Sequence, residues 1–243
     1  MADYVLVHGA WHGGWCWKRL TPLLRAAGHQ VFTPTLTGLG ERRHLMSPDI
    51  GLETHIKDVL GVLTYEDLDD VILVGHSYSG MVVTGVAYSV PDRIAQLVYL
   101  DAFVPEEGKA LVDYQPPQTR ELFVEKTRTE GEGFKLPALI PPEAFGITDE
   151  ADLAWVRPRL DPHPFKTKLD PVRFDDPRGA GIPRTFIRCT DPADLPFAQF
   201  AEHARSDGSW RYVELATGHA AMITKPRELA DLLLGLAGRP VKG

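Results

Sequence analysis

Short runs of apolar residues alternate along the chain with longer stretches whose apolar positions recur at the helical period. The runs at residues 4–7, 71–74 and 94–100 are apolar and nearly continuous, which is typical of strands buried on both faces of a sheet. The stretch 53–65 has apolar residues on one helical face instead. This alternation predicts an α/β protein with a doubly wound, mostly parallel sheet of about six strands and helices on both faces.

Further strands and helices follow from the same pattern. We predict strands at 30–34, 183–189 and 210–215, and helices at 15–27, 197–205 and 226–236. A helix that begins after Ser79 and Gly80 is expected to end before Pro91, which cannot continue it. Strands and helices therefore alternate through the first hundred residues and again through the last sixty.

The composition changes after Asp101. Fourteen of the 20 prolines lie between Pro105 and Pro196, together with scattered aromatic residues and weak periodicity. The segment is neither of low complexity nor strongly charged, which argues against disorder. We predict a core made of residues 1–102 and 183–243 and a cap insertion of residues 103–182. The cap would lie over the carboxyl ends of the strands, where ligands bind in such sheets.

Charge and composition narrow the range of partners. The net charge of −7 argues against a nucleic-acid partner and against a polybasic membrane-binding surface. No apolar run has the length of a membrane span, and the first residues carry no positively charged leader. The two cysteines, Cys16 and Cys189, form neither a disulfide framework nor a metal-binding pattern. We therefore expect a cytoplasmic protein.

Candidate chemistry begins with the segment VILVGHSYSGMVVTG at residues 71–85. A strand, a tight turn with a central serine and a helix are typical of a nucleophile elbow, here centred on Ser77. The residues two before and two after the serine must be small, because strand and helix backbones nearly touch there. Gly75 fits this requirement, and Ser79 replaces the second glycine of the usual pattern. An ordinary strand–turn–helix with an idle serine is the alternative.

A serine hydroxyl needs a base within hydrogen-bond reach and an acid that orients the base. His219 lies in a small-residue loop after the last predicted strand, where the base is expected. The oxyanion of a tetrahedral intermediate needs two backbone N–H donors. The candidates are Tyr78, which follows the serine, and Ala10, in the glycine-rich loop after the first strand. His8 and His12 in that loop are expected to hold it by hydrogen bonds.

Three aspartates are candidates for the acid. Asp191 follows the predicted strand 183–189, which is the usual position, and is ranked first. Asp101 ends the strand that follows the nucleophile helix and is ranked second. Asp194 lies in the same turn as Asp191 and is ranked third. The two aspartates that are not the acid are expected to cap loops.

Taken together, HGAWHGGWCW, VILVGHSYSGM, LVYLDAFVP and TGHAAMITKP resemble the esterase and hydroxynitrile-lyase branch of the α/β-hydrolases, which includes plant methylesterases and bacterial pyrethroid hydrolases. The resemblance extends over nearly the whole chain and implies Ser77 and His219 as nucleophile and base. It also implies Ala10 and Tyr78 as oxyanion donors. It does not carry the acid, because the aspartate of the plant members stands where this chain has Pro192.

The resemblance implies a serine carboxylesterase that needs no metal or cofactor and acts on a small to medium ester with an apolar or aromatic part. A homodimer is compatible with it. A hydroxynitrile lyase and a catalytically idle small-molecule binding protein are the alternatives. In the plant lyases a threonine replaces Gly9, and a lysine follows the catalytic histidine, where this chain has Ala220. Both positions favour ester hydrolysis, and Lys225 lies further along the chain.

Overall fold

A computed structural model describes residues 1–191 and 196–237. Its main sheet has six strands in the order β2-β1-β3-β4-β7-β8, and every neighbouring pair is parallel. These strands are β1 (Asp3–Val7), β2 (Gln30–Phe32), β3 (Val71–His76), β4 (Ile94–Leu100), β7 (Arg184–Cys189) and β8 (Trp210–Leu215). The predicted fold class is confirmed.

Helices flank this sheet in two groups, since α2 packs against α3 and α1 packs against α9. The α-helices are α1 (Thr21–Ala26), α2 (Leu52–Tyr65), α3 (Ser79–Ser89), α4 (Pro117–Glu130), α5 (Glu150–Val156), α6 (Lys166–Leu169), α7 (Ala198–Ser206), α8 (Ala221–Thr224) and α9 (Pro226–Ala237). Short 3-10 helices lie at Gly14–Trp17, Gly40–Leu45, Pro91–Arg93, Leu111–Tyr114, Pro142–Phe145, Arg157–Arg159 and Pro177–Gly181.

The core is densest around β3. All six residues of β3 are buried, and so are ten of the eleven residues of α3, which follows it. A helix that is apolar on every side has to be buried on every side, and α3 lies between the sheet, α2 and the 3-10 turn Pro177–Gly181. Ser77, between β3 and α3, is therefore held between two buried elements.

Residues 103–182 contribute no strand to the main sheet. They contain α4, α5 and α6, and a separate antiparallel pair, β5 (Lys135–Leu136) with β6 (His163–Pro164). This segment lies against the loop after β1: the Trp11 indole donates to Leu136 O (3.2 Å), and Asp161 N donates to Trp11 O (3.0 Å). The division into a core and a cap stays a prediction.

The first predicted helix differs from the structure. Residues 15–27 form a 3-10 turn at Gly14–Trp17 and a separate α-helix, α1, rather than one helix. Pro22 stands at the start of α1, where its missing N–H is tolerated, and so it marks a new helix start. Gly28 ends the element with a φ of +86°. None of the helices in ranges 1–191 and 196–237 is long and apolar enough to cross a membrane.

Candidate active site

Ser77 sits on a strained turn directly after β3. Its φ is +57°, a conformation that costs energy for a residue other than glycine and recurs at functional sites. The turn is fixed because the Ser77 carbonyl accepts hydrogen bonds from Gly80 N and Phe103 N, both at 3.1 Å. The Ser77 hydroxyl makes no hydrogen bond within the described part of the chain, so it is free to react.

The replacement of the second elbow glycine by Ser79 has a structural reason. The Ser79 hydroxyl lies 2.7 Å from Val7 O and 2.9 Å from His76 O, so it ties the end of β1 to the elbow. The closest backbone approach falls one residue later. A Cβ atom on Gly80 would lie 1.9 Å from Phe103 O, and only glycine fits there.

His219 is oriented by a carboxylate. Its Nδ1–H donates to Asp101 Oδ2 over 2.8 Å, and both side chains are almost fully buried. Its backbone carbonyl accepts from His76 Nε2–H at 2.9 Å, and Phe197 stacks on its ring at 4.9 Å. These contacts fix the imidazole tautomer, so that Nε2 is the unprotonated nitrogen that can take a proton.

The ranking of the three aspartates is wrong, because Asp101 and not Asp191 contacts His219. Asp191 is exposed, its N–H donates to Thr217 O, and it lines a separate depression with Asp149 and Lys225. In the sheet, β4 lies beside β3, whereas β7 is one strand further away. Asp101 at the end of β4 therefore lies nearer the elbow.

Two further contacts hold the Asp101 carboxylate. Arg188 Nη1 lies 3.0 Å from Oδ1, and Cys189 N donates to the same oxygen at 3.3 Å. Asp101 itself has a φ of +43°, a second strained position at the end of a strand. The third candidate, Asp194, lies outside the described residues. Position 192, where the plant relatives have their aspartate, is a proline in this chain. This absence favoured Asp101, in the segment LVYLDAFVP, as the acid.

Ala10 and Tyr78 line the same cavity as Ser77 and His219. Among the described residues, the backbone N–H of neither one has a protein acceptor. Both are therefore available to a developing oxyanion. The loop after β1 has little room to shift, because a Cβ on Gly9 would lie 2.8 Å from His76 Nδ1.

The histidines of the glycine-rich loop hydrogen-bond within it, as expected. His8 Nε2 accepts from Leu36 N (3.1 Å), so its Nδ1–H donates to Gly9 O (2.8 Å). His12 Nδ1–H donates to Ala10 O at 2.7 Å. Burial lowers the pKa of His8 to about 3 and that of His12 to about 4. Both are neutral at physiological pH and hold the backbone of the oxyanion loop.

The cavity above Ser77 has a volume of about 490 Å³ and is mainly apolar. Residues 103–182 supply most of its wall, including Leu111, Phe123, Leu139, Ile140 and Phe145. Such a pocket favours an apolar ligand part, with the few polar groups fixing its orientation. Within ranges 1–191 and 196–237, no group of three or more His, Cys, Asp or Glu side chains is arranged to hold a metal ion.

One polar residue of this cavity was missed by sequence reasoning. Lys168, in α6, lines the cavity although only 3 % of its surface is exposed. Its Nζ lies 5.1 Å from the ring centroids of both Trp11 and Tyr78. Burial lowers the pKa of Lys168 to about 7. Nothing in the segment HPFKTKLDP distinguishes this lysine from the exposed Lys166 two positions earlier.

Comparison with known proteins agrees with this geometry. The chain is 43 % identical to a carbendazim hydrolyzing esterase from Nocardioides sp., over 97 % of this chain and 100 % of that one. It is 28 % identical to salicylic acid-binding protein 2 from Nicotiana tabacum, over 96 % of each chain. An extracellular α/β-hydrolase from a Paenibacillus species superimposes with a TM-score of 0.83 at 26 % identity, covering 99 % of this chain and 100 % of that chain.

The sequence profile of the alpha/beta hydrolase family matches residues 4–232, nearly the full chain. The predicted resemblance is thus confirmed at the level of the family and of its esterase members. With its six-stranded parallel sheet, its serine elbow and this match, the chain belongs to the α/β hydrolase family.

Proposed function

We propose that the protein is a serine carboxylesterase that acts through an acyl-enzyme on small to medium esters with an apolar or aromatic part. The observation that carries this proposal is the meeting, in one apolar cavity, of the Ser77 elbow and the His219–Asp101 pair. Ala10 and Tyr78 line the same cavity, and the backbone N–H of neither one has a protein acceptor among the described residues. Relatives named as esterases support the reaction class.

The residues have defined roles in this reaction. The Ser77 hydroxyl attacks the ester carbonyl carbon while His219 Nε2 takes its proton. Asp101 keeps the other imidazole proton on Nδ1 and stabilises the imidazolium. The oxyanion accepts hydrogen bonds from Ala10 N and Tyr78 N until the C–O bond breaks and His219 protonates the departing alcohol. A water molecule, deprotonated by His219, then releases the acid and restores Ser77.

The cavity supports the substrate class. Its volume of about 490 Å³ is within the range of small-molecule sites. We propose that the protein is cytoplasmic, and the two buried free cysteines support this location. We also propose that it needs no cofactor and has no nucleic-acid or membrane partner. Association into a homodimer is also a proposal, and light scattering in solution would test it.

Covalent labelling tests the nucleophile. A fluorophosphonate should add to Ser77, and mass spectrometry of the tryptic peptide should locate the adduct there. Ser77→Ala should fold normally, resist labelling and lose nearly all turnover of chromogenic esters. Methyl esters of aromatic acids would then narrow the acyl group. Undiminished turnover in Ser77→Ala would contradict the proposal, and labelling without turnover of any ester would favour the binding-protein alternative.

The hydroxynitrile lyase remains the second candidate because of one observation. A lyase of this type needs a cation to stabilise departing cyanide, and Lys168 lines the cavity. Lys225, by contrast, is half exposed and paired with Glu228 at 3.3 Å. Ala220, directly after His219, provides no charge. Cyanide release from mandelonitrile, compared with ester turnover, separates the two reactions.

A further inference from the structure

Lys168 is a buried cation without an acidic partner. No carboxylate contacts it within the described residues, and its amine finds no hydrogen-bond acceptor there. Its neighbour Lys166 behaves in the ordinary way: it is half exposed and forms an ion pair with Asp170 at 2.6 Å. Buried lysines are rare unless paired, because removing an ammonium from water costs several kcal/mol. An unpaired lysine in a substrate cavity therefore indicates a partner supplied by the ligand.

The side chains around Lys168 present aromatic ring faces, rather than hydrogen-bond acceptors, to its amine. Its Nζ lies over the Trp11 and Tyr78 rings, which attract a cation weakly. The polar atoms behind this wall are already used. His163 accepts from Trp11 N and donates to Thr167 Oγ1, while His55 accepts from the Tyr78 hydroxyl and donates to Thr37 O.

The charges on this wall are equally one-sided. Burial lowers the pKa of His55 to about 4, and burial and the Lys168 charge lower that of His163 well below its ordinary value. Burial raises the pKa of Tyr78 above its ordinary value. All three side chains are neutral near pH 7, so Lys168 is the one of these four that carries positive charge, and it does so below its pKa of about 7. His219, across the cavity, belongs to the triad.

We propose that Lys168 is an anion-binding subsite of the substrate cavity, and that it selects esters whose remaining part ends in a carboxylate, that is, half-esters of dicarboxylic acids. The inference rests on the proposed esterase function. The apolar wall accommodates the carbon chain of such a ligand, the triad takes its ester end, and Lys168 pairs with its carboxylate. A charge-assisted hydrogen bond of this kind is among the stronger ones in proteins.

Kinetics on matched esters test the subsite. The monomethyl esters of succinic, adipic and suberic acids are each compared with the dimethyl ester of the same acid, which is nearly isosteric but neutral. For the best-fitting acid, Lys168→Met should lower the ratio of kcat/KM for half-ester to kcat/KM for diester by about tenfold or more. Lys166→Met is the matched control and should leave this ratio unchanged. Lys168→Gln should also lower it, because it keeps length and polarity without charge.

The pH dependence is a second readout that needs no variant. Below the pKa of Lys168, which burial places at about 7, the free enzyme presents an ammonium, and above it a neutral amine. The wild-type ratio should therefore fall as pH rises through this value. A pH effect on the hydrolytic step that is common to both esters cancels in the ratio. In Lys168→Met the ratio should not change with pH over this range.

Binding separates failure of the subsite from failure of the esterase proposal. Calorimetry of monomethyl adipate with Ser77→Ala, and with the same variant carrying Lys168→Met, measures the subsite without any turnover. Weaker binding in the double variant supports the subsite even when esters are not hydrolysed. Ser77-dependent hydrolysis with an unchanged half-ester preference and equal binding in both variants would overturn the subsite and leave the esterase intact.

Discussion

The two carboxylate oxygens of Asp101 make contacts of different kinds. One carboxylate oxygen holds the His219 imidazole, while the other is held by Arg188 and by the backbone of Cys189. The contact with Arg188, at 3.0 Å, fixes the orientation of the carboxylate. A neutral amide at this position could still pack, but it would not stabilise an imidazolium.

We therefore expect Asp101→Asn to lower kcat for ester hydrolysis by roughly 10⁴-fold, as loss of the orienting acid does in the best-studied serine hydrolase. Asp191→Asn is the matched control. Its kcat should stay within about threefold of the wild-type value, because the exposed Asp191 lines a separate depression. Ester hydrolysis assays on both variants measure kcat, and circular dichroism confirms that both variants are folded. A larger loss of kcat in Asp191→Asn than in Asp101→Asn would identify Asp191, which follows β7, as the acid.

Lys168 also makes a prediction about stability. Its pKa is lowered from 10.5 to about 7 by burial, so above pH 7 the folded state binds fewer protons than the unfolded state. Stability then rises with pH between these two values, and the penalty of the buried charge is complete below the lower one. Lys168→Met should raise the free energy of unfolding by a few kcal/mol near pH 6, and by less near pH 9.

Urea denaturation of both proteins at these two pH values measures the difference. Lys166→Met, which loses only an exposed ion pair, should change stability by about 0.5 kcal/mol or less, with no comparable pH trend. Equal stabilisation by Lys168→Met at both pH values would mean that folded Lys168 stays protonated at both, so that burial does not lower its pKa into this range.

At the level of elements, the elbow depends on close backbone approach between α3 and the segment after β4. Gly80 faces Phe103 O at a distance that admits no side chain. Phe103 N in turn donates to Ser77 O, so the same segment supports the nucleophile. Moving Phe103 away from α3 would release this hydrogen bond.

Gly80→Ala should accordingly destabilise the protein by roughly 3 kcal/mol or more and reduce ester turnover. Gly61→Ala is the contrasting variant. Gly61 lies inside α2 with no atom within 4 Å of an added Cβ, so alanine should stabilise the helix by about 0.5–1 kcal/mol. Thermal unfolding of the two variants measures the contrast. Equal effects of the two substitutions would show that the contact with Phe103 can relax.

Elements were predictable where burial alone determines them. β4 has the predicted bounds, because its nearly continuous apolar run is buried at six of seven positions. β8 also has the predicted bounds, although only Trp210 among its six residues is buried. The prediction of a single helix at 15–27 was wrong, because the spacing of its leucines continues across the point where Pro22 starts a new helix. The ranking of Asp191 above Asp101 was wrong for a different reason. The order along the chain allows either aspartate to be the acid, and only the order of the strands in the sheet decides between them.

At the scale of the whole molecule, the loop 218–220, which carries His219, packs closely against the segment 103–182. Ala220 N donates to Phe145 O at 3.1 Å, and Cβ atoms added to Gly218 or to Gly146 would meet the other residue's Cα at 2.5 Å. The position of His219 therefore depends on that segment as well as on the sheet. Its proline-rich sequence has no readable period, so neither this contact nor the inward position of Lys168 could be predicted.

The cavity as a whole also decides between ester hydrolysis and cyanide release. Lys168 lies on the wall formed by Trp11 and Tyr78, beside the oxyanion donors, whereas a cyanide would leave next to His219, where Ala220 is uncharged. A Cβ at position 9 would lie 3.0 Å from the Cβ of Ser77, so glycine keeps side-chain atoms away from the nucleophile there. We therefore expect Ser77-dependent ester turnover and no release of cyanide from mandelonitrile above the buffer rate.

Colorimetric cyanide detection with wild type, Ser77→Ala and Lys168→Met measures this, and an aromatic methyl ester serves as the positive control. Cyanide release at a rate similar to that of ester turnover, lost in both variants, would identify the protein as a lyase with Lys168 as its cation. Loss in Ser77→Ala alone would instead place the cyanide site away from Lys168. Since the half-ester assay uses the same Lys168→Met variant, one set of proteins decides whether this lysine binds a substrate carboxylate or a leaving anion.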